Sequence, residues 1–132
     1  MSKKVLIATV KPFAPAAVDG IREIVEQAGY QLVLLEKYQD QSELVAAVAD
    51  VDALIIRSDK VTREVLDGAS NLKVVVRAGA GYDNVDLEAA TEKGIVVMNT
   101  PGGNVVTTAE HAIAMMLALT RNIPQGTASL KQ

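Results

Sequence analysis

Short apolar runs alternate with longer amphipathic segments over the first hundred positions of this chain. The apolar runs predict five buried strands, at Val5–Ala8, Leu32–Leu35, Ala53–Ile56, Val74–Val76 and Ile95–Met98. The amphipathic segments between them predict helices. This alternation is typical of an α/β fold with a parallel sheet and helices on both faces. For five strands we expect the flavodoxin-like order 2-1-3-4-5, in which ligands bind beyond the carboxyl ends of the strands.

Residues that favour helix ends support these boundaries. Pro15 fits the first turn of the first helix, and Gly29 follows its last residues. Asp86 is predicted to cap a helix that ends near Lys93 and is closed by Gly94.

The last helix has an unusual composition. Thr107 and Glu110 have the spacing of a capping box, and the residues from Ala112 to Leu119 are apolar at every position. A helix that is apolar on all sides needs cover on all sides. It is either a central core helix or an interface helix whose other cover lies in a partner domain or subunit. The following residues 122–132, with Pro124 and Gly126, predict irregular linker structure.

The composition excludes several classes of function. The net charge of −3 and the 3% aromatic content disfavour binding to nucleic acid. The chain has no cysteine, so it has neither disulfides nor thiolate metal sites, and no other metal-ligand spacing is present. Because no apolar run approaches the ~18 residues that cross a bilayer, we expect no membrane segment and a cytoplasmic location.

Cationic and donor-rich residues follow several of the predicted strands. Lys11 follows the first strand, Arg57 and Ser58 the third, and Arg77 the fourth, where it precedes a loop with Gly79. Asn104 ends the loop after the fifth strand. These strand ends meet at one edge of a parallel sheet, and arginine binds carboxylate or phosphate bidentately. The pattern therefore predicts an anion site.

The sequence agrees less well with a dinucleotide-binding loop, a catalytic histidine or a regulatory domain. The loop Gly79–Asn84 begins like a dinucleotide fingerprint, but Asn84 stands where the last glycine belongs. His111 is a lone helical histidine, for which a structural or interfacial role is favoured. A receiver-type regulatory domain needs acidic residues after the first and third strands, where this chain has Lys11 and Arg57. That class remains a remote alternative, and a passive interaction module leaves the strand-end cluster unexplained.

Several motifs occur in one order along the chain, at 55–58, 71–90, 99–104 and 109–111. Together they resemble the D-isomer-specific 2-hydroxyacid dehydrogenases, above all those members that oxidise 3-phosphoglycerate with NAD. Another 2-hydroxy acid is the alternative substrate.

The resemblance implies roles for individual residues. Arg57, Ser58 and Asn104 would contact substrate, and Arg77 would lie near its phosphate. Two sets of smaller contacts are also implied: the amides of Ala78 and Gly79 would hold the substrate carboxylate, while Ala80 and Thr108 would face the nicotinamide.

The resemblance also implies a domain organisation. Residues 1–103 would form the substrate-binding domain, 104–121 an inter-domain helix and 122–132 a linker stump, with the Rossmann cofactor domain absent from this chain. We therefore expect a fragment that is inactive and binds no NAD on its own. Its expected partners are 3-phosphoglycerate, the missing Rossmann domain and, through the helix at 104–121, a second copy of the chain.

Overall fold

The computed structural model describes residues 2–131, and the chain divides into two compact units, Met1–Pro101 and Gly102–Gln132. The first unit has strands β1 (Lys4–Thr9), β2 (Gln31–Glu36), β3 (Ala53–Ile56), β4 (Val74–Arg77) and β5 (Val96–Met98). Its helices are α1 (Pro15–Gln27), α2 (Gln41–Ala47), α3 (Arg63–Gly68) and α4 (Leu87–Glu92). The second unit has helices α5 (Val105–Thr120) and α6 (Ile123–Leu130).

The five strands form one parallel sheet in the order β2-β1-β3-β4-β5. The predicted fold class and strand order are therefore confirmed. In the register of the sheet, Ile56 at the end of β3 pairs with Ala8 of β1 on one side and with Arg77 of β4 on the other. The carboxyl ends of β1, β3 and β4 thus lie side by side.

Both faces of the sheet carry helices, as the sequence predicts. On one face, Leu54 and Ile56 of β3 are fully buried in a cluster that includes Leu44 of α2, Leu66 of α3 and Ala89 of α4. Burial of each such large aliphatic side chain contributes about 1.5–3 kcal/mol. On the other face, α1 packs over β1 and β2 with a second apolar cluster, formed by Val5, Ile7, Val18, Val25 and Leu32.

The cover of that second face does not extend to the edge at β5. Val74 pairs with Val96 and Val76 pairs with Met98, on the face opposite to the buried Val75 of β4 and its partner Val97 of β5. Val74 and Val76 are half-buried, whereas Val96 and Met98 are 58% and 53% exposed. At β4 and β5, the sheet therefore has one covered face and one open apolar face.

The predicted helix ends are confirmed in the first unit. Pro15 is the first residue of α1, and Gly29 follows that helix with φ +77°. The Asp86 carboxylate caps α4 by accepting a hydrogen bond from the Ala89 amide at 2.9 Å, and Gly94 follows with φ +67°.

The helix predicted at 104–121 is present, but its predicted capping box at Thr107 and Glu110 is wrong. α5 begins at Val105 with Asn104 at its N-cap position and no side-chain cap, so Thr107 lies within the first turn rather than before it. Helical backbone continues through Val105 and Val106 because the Thr108 amide bonds to the Asn104 carbonyl at 2.9 Å.

Residues 123–130 are also helical, which corrects the prediction of irregular structure there. Pro124 lies in the first turn of α6, where its missing N–H costs nothing, and Gly126 is accommodated in the helix with its amide bonded to the Asn122 carbonyl at 2.9 Å.

The apolar helix α5 is exposed throughout this chain. No residue of α5 is buried, and its large apolar side chains are 56–74% exposed, among them Ile113, Met115, Met116, Leu117 and Leu119. The interpretation as a central core helix is therefore wrong for this chain. Among residues 2–131, no helix combines the length and the apolar character needed to cross a membrane.

Candidate anion site at the strand ends

Several of the predicted site residues follow neighbouring strands. Arg57 and Ser58 come directly after β3, and Arg77 is the last residue of β4. A cavity of about 340 Å³ opens at this edge, and Lys11, Arg57, Ser58 and Lys60 contribute to its lining. The structure thus brings residues from the ends of β1 and β3 together around one cavity.

The cations at this edge are not neutralised by acidic side chains. Elsewhere in the part of the chain that the structure describes, four cationic residues form ion pairs: Lys4 with Asp50, Arg22 with Glu26, Arg63 with Glu92 and Lys93 with Asp67. Within residues 2–131, no such pair involves any of the strand-end cations, which are Lys11, Arg57, Lys60 and Arg77. An anionic ligand at this edge would therefore meet cationic side chains that form no ion pair in this part of the chain.

Arg77 has donor capacity that the described chain leaves unused. Its Nε atom is buried and makes no hydrogen bond within residues 2–131. Its guanidinium lies against Gly79, where no β-carbon stands in the way. A buried donor without a partner costs free energy, and the cost makes the position of this side chain a feature that function has to explain.

The amides that the sequence assigns to a carboxylate are already used. The Ala78 amide donates to the Ile56 carbonyl at 2.8 Å, and the Gly79 amide donates to the Arg77 carbonyl at 2.9 Å. Both amides are engaged in this structure, because sheet bonding continues one residue beyond β4 and the chain then turns back on itself. In residues 2–131, the Ala80 amide makes no hydrogen bond and is one of several open donors in the loop, together with the amides of residues 81–84.

The loop after β4 is held by the loop after β5. Asn99 donates from Nδ2 to the Ala80 carbonyl at 2.7 Å, and the Thr100 amide donates to the Gly79 carbonyl at 2.9 Å. Because both carbonyls are occupied in this way, the amides of residues 80–84 are the backbone groups left to interact with a ligand.

Asp59 lies two residues after Arg57 and is 8% exposed. Its Oδ1 atom accepts hydrogen bonds from the Val10 amide and from the Tyr38 hydroxyl, both at 2.8 Å. Its Oδ2 atom accepts a longer bond from the Arg57 amide at 3.4 Å. Burial of the phenol and its hydrogen bond to Asp59 raise the pKa of Tyr38 well above its usual range.

Asn84 holds the same segment from the other side. Its Nδ2 atom donates to the Asp59 carbonyl at 2.7 Å and to the Arg57 carbonyl at 3.4 Å. Sequence reasoning noted Asn84 only as a departure from a fingerprint, and it missed the roles of Asp59 and Tyr38. A tyrosine two residues after a strand, in a chain with four aromatic residues, was the available signal for Tyr38.

Asn104 and Thr108 belong to the second unit. Asn104 occupies the N-cap position of α5, Thr108 lies in the first turn, and both side chains are exposed. His111 is exposed in the next turn of the same helix.

Comparison with known proteins identifies the family. The model of the D-isomer specific 2-hydroxyacid dehydrogenase catalytic domain matches residues 6–129. The chain belongs to this dehydrogenase family. It is 45% identical over 130 residues to a D-3-phosphoglycerate dehydrogenase of Archaeoglobus fulgidus, covering 98% of this chain and 23% of that protein. It is 52% identical over 111 residues to the enzyme of the same name from Sus scrofa, covering 83% of this chain and 21% of that protein.

Solved dehydrogenase structures share the fold. The NAD⁺-bound 3-phosphoglycerate dehydrogenase of Entamoeba histolytica superimposes with a TM-score of 0.84 at 47% identity, covering 89% of this chain and 39% of that one. The chain thus spans less than a quarter of the length of the curated dehydrogenase relatives reported above and about two fifths of this solved structure.

The residues of this dehydrogenase chain do not fit the pyrophosphate of NAD. The glycine loop after β4 does not open a helix, since α4 begins at Leu87. The position of the third fingerprint glycine is Asn84, whose side chain is engaged with the Arg57 and Asp59 carbonyls. A pyrophosphate needs close approach to backbone amides at a helix N-terminus, which this loop does not provide.

Proposed function

We propose that this chain is the substrate-binding part of an NAD-dependent D-3-phosphoglycerate dehydrogenase. In the whole enzyme it would bind 3-phosphoglycerate for oxidation to 3-phosphohydroxypyruvate in serine biosynthesis. A cytoplasmic location belongs to the same proposal. The observation that carries it is the pair Arg57 and Arg77, uncompensated cations at the ends of adjacent strands. The names of the relatives in Archaeoglobus and Sus support the choice of substrate.

Each proposed contact follows from the chemistry of its residue. Arg57 and Arg77 bind the two anionic ends of the substrate, because a guanidinium matches phosphate and carboxylate geometry. Ser58 and Asn104 donate hydrogen bonds. Ala78 and Gly79 line the carboxylate side, where a ligand would displace the Gly79 bond to the Arg77 carbonyl and use the Ala80 amide beside it.

The chain supplies orientation rather than hydride transfer. Ala80 and Thr108 are its proposed contacts with the nicotinamide, while the rest of the cofactor needs a Rossmann domain that we propose as its partner. We therefore propose that the 132-residue chain alone neither turns over substrate nor binds NAD.

The exposed helix α5 suggests a second partner. Its large apolar side chains stand 56–74% exposed in this chain, and exposed apolar surface of this kind marks interaction sites. We include self-association through residues 104–121 in the proposal.

Titration of the pure chain with 3-phosphoglycerate, followed by amide NMR shifts, tests the substrate assignment. We expect saturable shifts at Arg57 and in the segment 77–80. D-Glycerate, which lacks the phosphate, should bind at least about tenfold more weakly, because it forfeits one charge-assisted contact. Equal binding of both ligands would favour another 2-hydroxy acid as the substrate.

Matched variants locate the site. Arg57→Lys should weaken binding because lysine cannot bind bidentately, whereas Arg22→Lys on the exposed face of α1 should leave it unchanged. Amide NMR shifts that do not include Arg57 and Arg77 would contradict the proposal. Turnover of substrate with NAD by the pure chain would also contradict it.

A further inference from the structure

The segment that carries Arg57 and Ser58 has little backbone bonding of its own. Between the end of β3 and the start of α3, one amide in residues 57–62 donates to a backbone carbonyl, that of Val61 to Asn84 at 2.8 Å. In the described chain, the Ser58 amide has no acceptor. Side chains from elsewhere in the first unit therefore determine the conformation of this segment.

The Asp59 carboxylate connects this segment to two other parts of the first unit by hydrogen bonds. It joins the end of β1 through Val10, the residue Tyr38 after β2, and the Arg57 amide of its own segment. These bonds span 49 and 21 residues of sequence to Val10 and Tyr38. A hydrogen bond to a charged acceptor is stronger than one between neutral groups, and its loss when buried is correspondingly costly.

No ion pair neutralises Asp59 among residues 2–131, and the side chain is 8% exposed. In this part of the chain, the hydrogen bonds to the carboxylate come from Val10, Tyr38 and Arg57. A carboxylate beside a site proposed to bind an anion weakens that binding, because its negative charge repels the ligand. Its structural benefit is the fixed path of the segment 57–60.

We infer that Asp59, held by Tyr38, is a positioning residue that sets Arg57 and Ser58 in place for the anionic substrate. The inference rests on the proposed function for the identity of the ligand. The part of the inference that concerns the conformation of residues 57–60 does not depend on that function.

Asp59→Asn provides a test in which the sign of the effect is informative. The asparagine keeps an oxygen for Val10 and Tyr38 but removes the charge and places an NH₂ group where Oδ2 accepts from Arg57. Electrostatics alone would make an anion bind more tightly once a nearby negative charge is gone. Positioning by Asp59 instead makes 3-phosphoglycerate bind about tenfold more weakly to the 132-residue chain.

Asp67→Asn is the matched control. It removes one negative charge from an exposed ion pair with Lys93, away from residues 57–60, and should leave the affinity unchanged. Tyr38→Phe removes one donor to Asp59 and should weaken binding by a smaller factor. Because the two residues share a hydrogen bond, the double variant should lose less affinity than the product of the single losses.

Hydrogen exchange without ligand tests the geometry separately. The Arg57 amide, which loses its acceptor, should exchange about tenfold faster or more in Asp59→Asn than in the parent chain, and the Val10 amide, whose acceptor becomes neutral, should exchange faster by a smaller factor, while amides of the buried strand β3 keep their rates. If the parent chain does not bind 3-phosphoglycerate, the proposed function fails but this readout still decides the inference. Unchanged exchange, or tighter anion binding in Asp59→Asn, would overturn it.

Discussion

The guanidinium of Arg77 lies directly against the α-carbon of Gly79. A β-carbon built on Gly79 would stand 1.6 Å from Nη1 and 2.4 Å from Cζ of Arg77. Glycine at this position is therefore required by the path of the arginine side chain rather than by a left-handed backbone.

Gly79→Ala should move Arg77 without unfolding the chain. The clashing atoms are at the far end of a flexible side chain, so stability should change by less than about 1 kcal/mol. The affinity for 3-phosphoglycerate should fall about tenfold, because the displaced guanidinium loses a charge-assisted bond. Calorimetric titration and thermal unfolding of the same sample separate the two effects. Full affinity in this variant would exclude Arg77 in its present position from binding.

Gly20→Ala provides a contrast in stability. Gly20 lies inside α1, and a β-carbon there would meet no atom within 4 Å. Alanine should raise the free energy of unfolding by about 0.5–1 kcal/mol, because glycine is a poor helix former. Gly94→Ala should lower it by about 1–2 kcal/mol, since Gly94 has φ +67°. Urea unfolding measures both changes in the free energy of unfolding. Two changes of the same sign would contradict a helical backbone at Gly20 and a left-handed backbone at Gly94.

Acid stability should depend on Glu43. Its carboxylate accepts hydrogen bonds from the amides of Asp40 and Gln39, at 3.1 and 2.8 Å, and these bonds lower its pKa in the folded chain. A lowered folded pKa means that the stabilisation is present above the unfolded pKa and is lost as the pH falls through the folded value.

Comparison with Glu43→Gln isolates this effect. The parent chain should be more stable than the variant near neutral pH, and the difference should shrink as the pH is lowered from about 7 to about 3. Urea unfolding at a series of pH values measures it. A difference that stays constant would show that the charge on Glu43 does not stabilise the start of α2.

Self-association should respond to substitutions in α5. Leu119 is 74% exposed, so Leu119→Glu should change the stability of the chain by less than about 0.5 kcal/mol. If α5 is the contact between copies, the substitution should weaken association about tenfold or more, since a buried leucine contributes 1.5–3 kcal/mol.

Sedimentation over a range of concentrations measures the association. Ile24→Glu is the matched control, because Ile24 is 70% exposed on α1, outside residues 104–121. Equal effects of the two substitutions, or a parent chain that is monomeric throughout, would contradict association through α5.

Local signals accounted for most of the fold. The apolar runs at β1 to β5 and the residues Pro15, Gly29, Asp86 and Gly94 act within a few positions of themselves, so the sequence alone predicted the strands and the helix ends. The same local reasoning wrongly predicted a capping box at Thr107 and Glu110, because α5 already begins at Val105.

Some residues of the candidate site were likewise predictable from local sequence, and others were not. Arg57 and Arg77 were predictable because each directly follows a recognisable strand. The roles of Asp59, Tyr38 and Asn84 were not, since their bonds depend on strand order and loop path across 21 to 49 positions. Likewise, the amides of Ala78 and Gly79 were used by backbone contacts that a sequence pattern does not reveal.

The hydrogen bond between Tyr38 and Asp59 also gives the chain an internal optical probe. The sequence has three tyrosines and no tryptophan, and Tyr38 is 6% exposed. Near-ultraviolet circular dichroism is strongest for an aromatic ring held in one asymmetric environment, so Tyr38 should dominate that spectrum. Ligand binding or loosening at the end of β3 can therefore be followed without any label, and without altering a residue of the site.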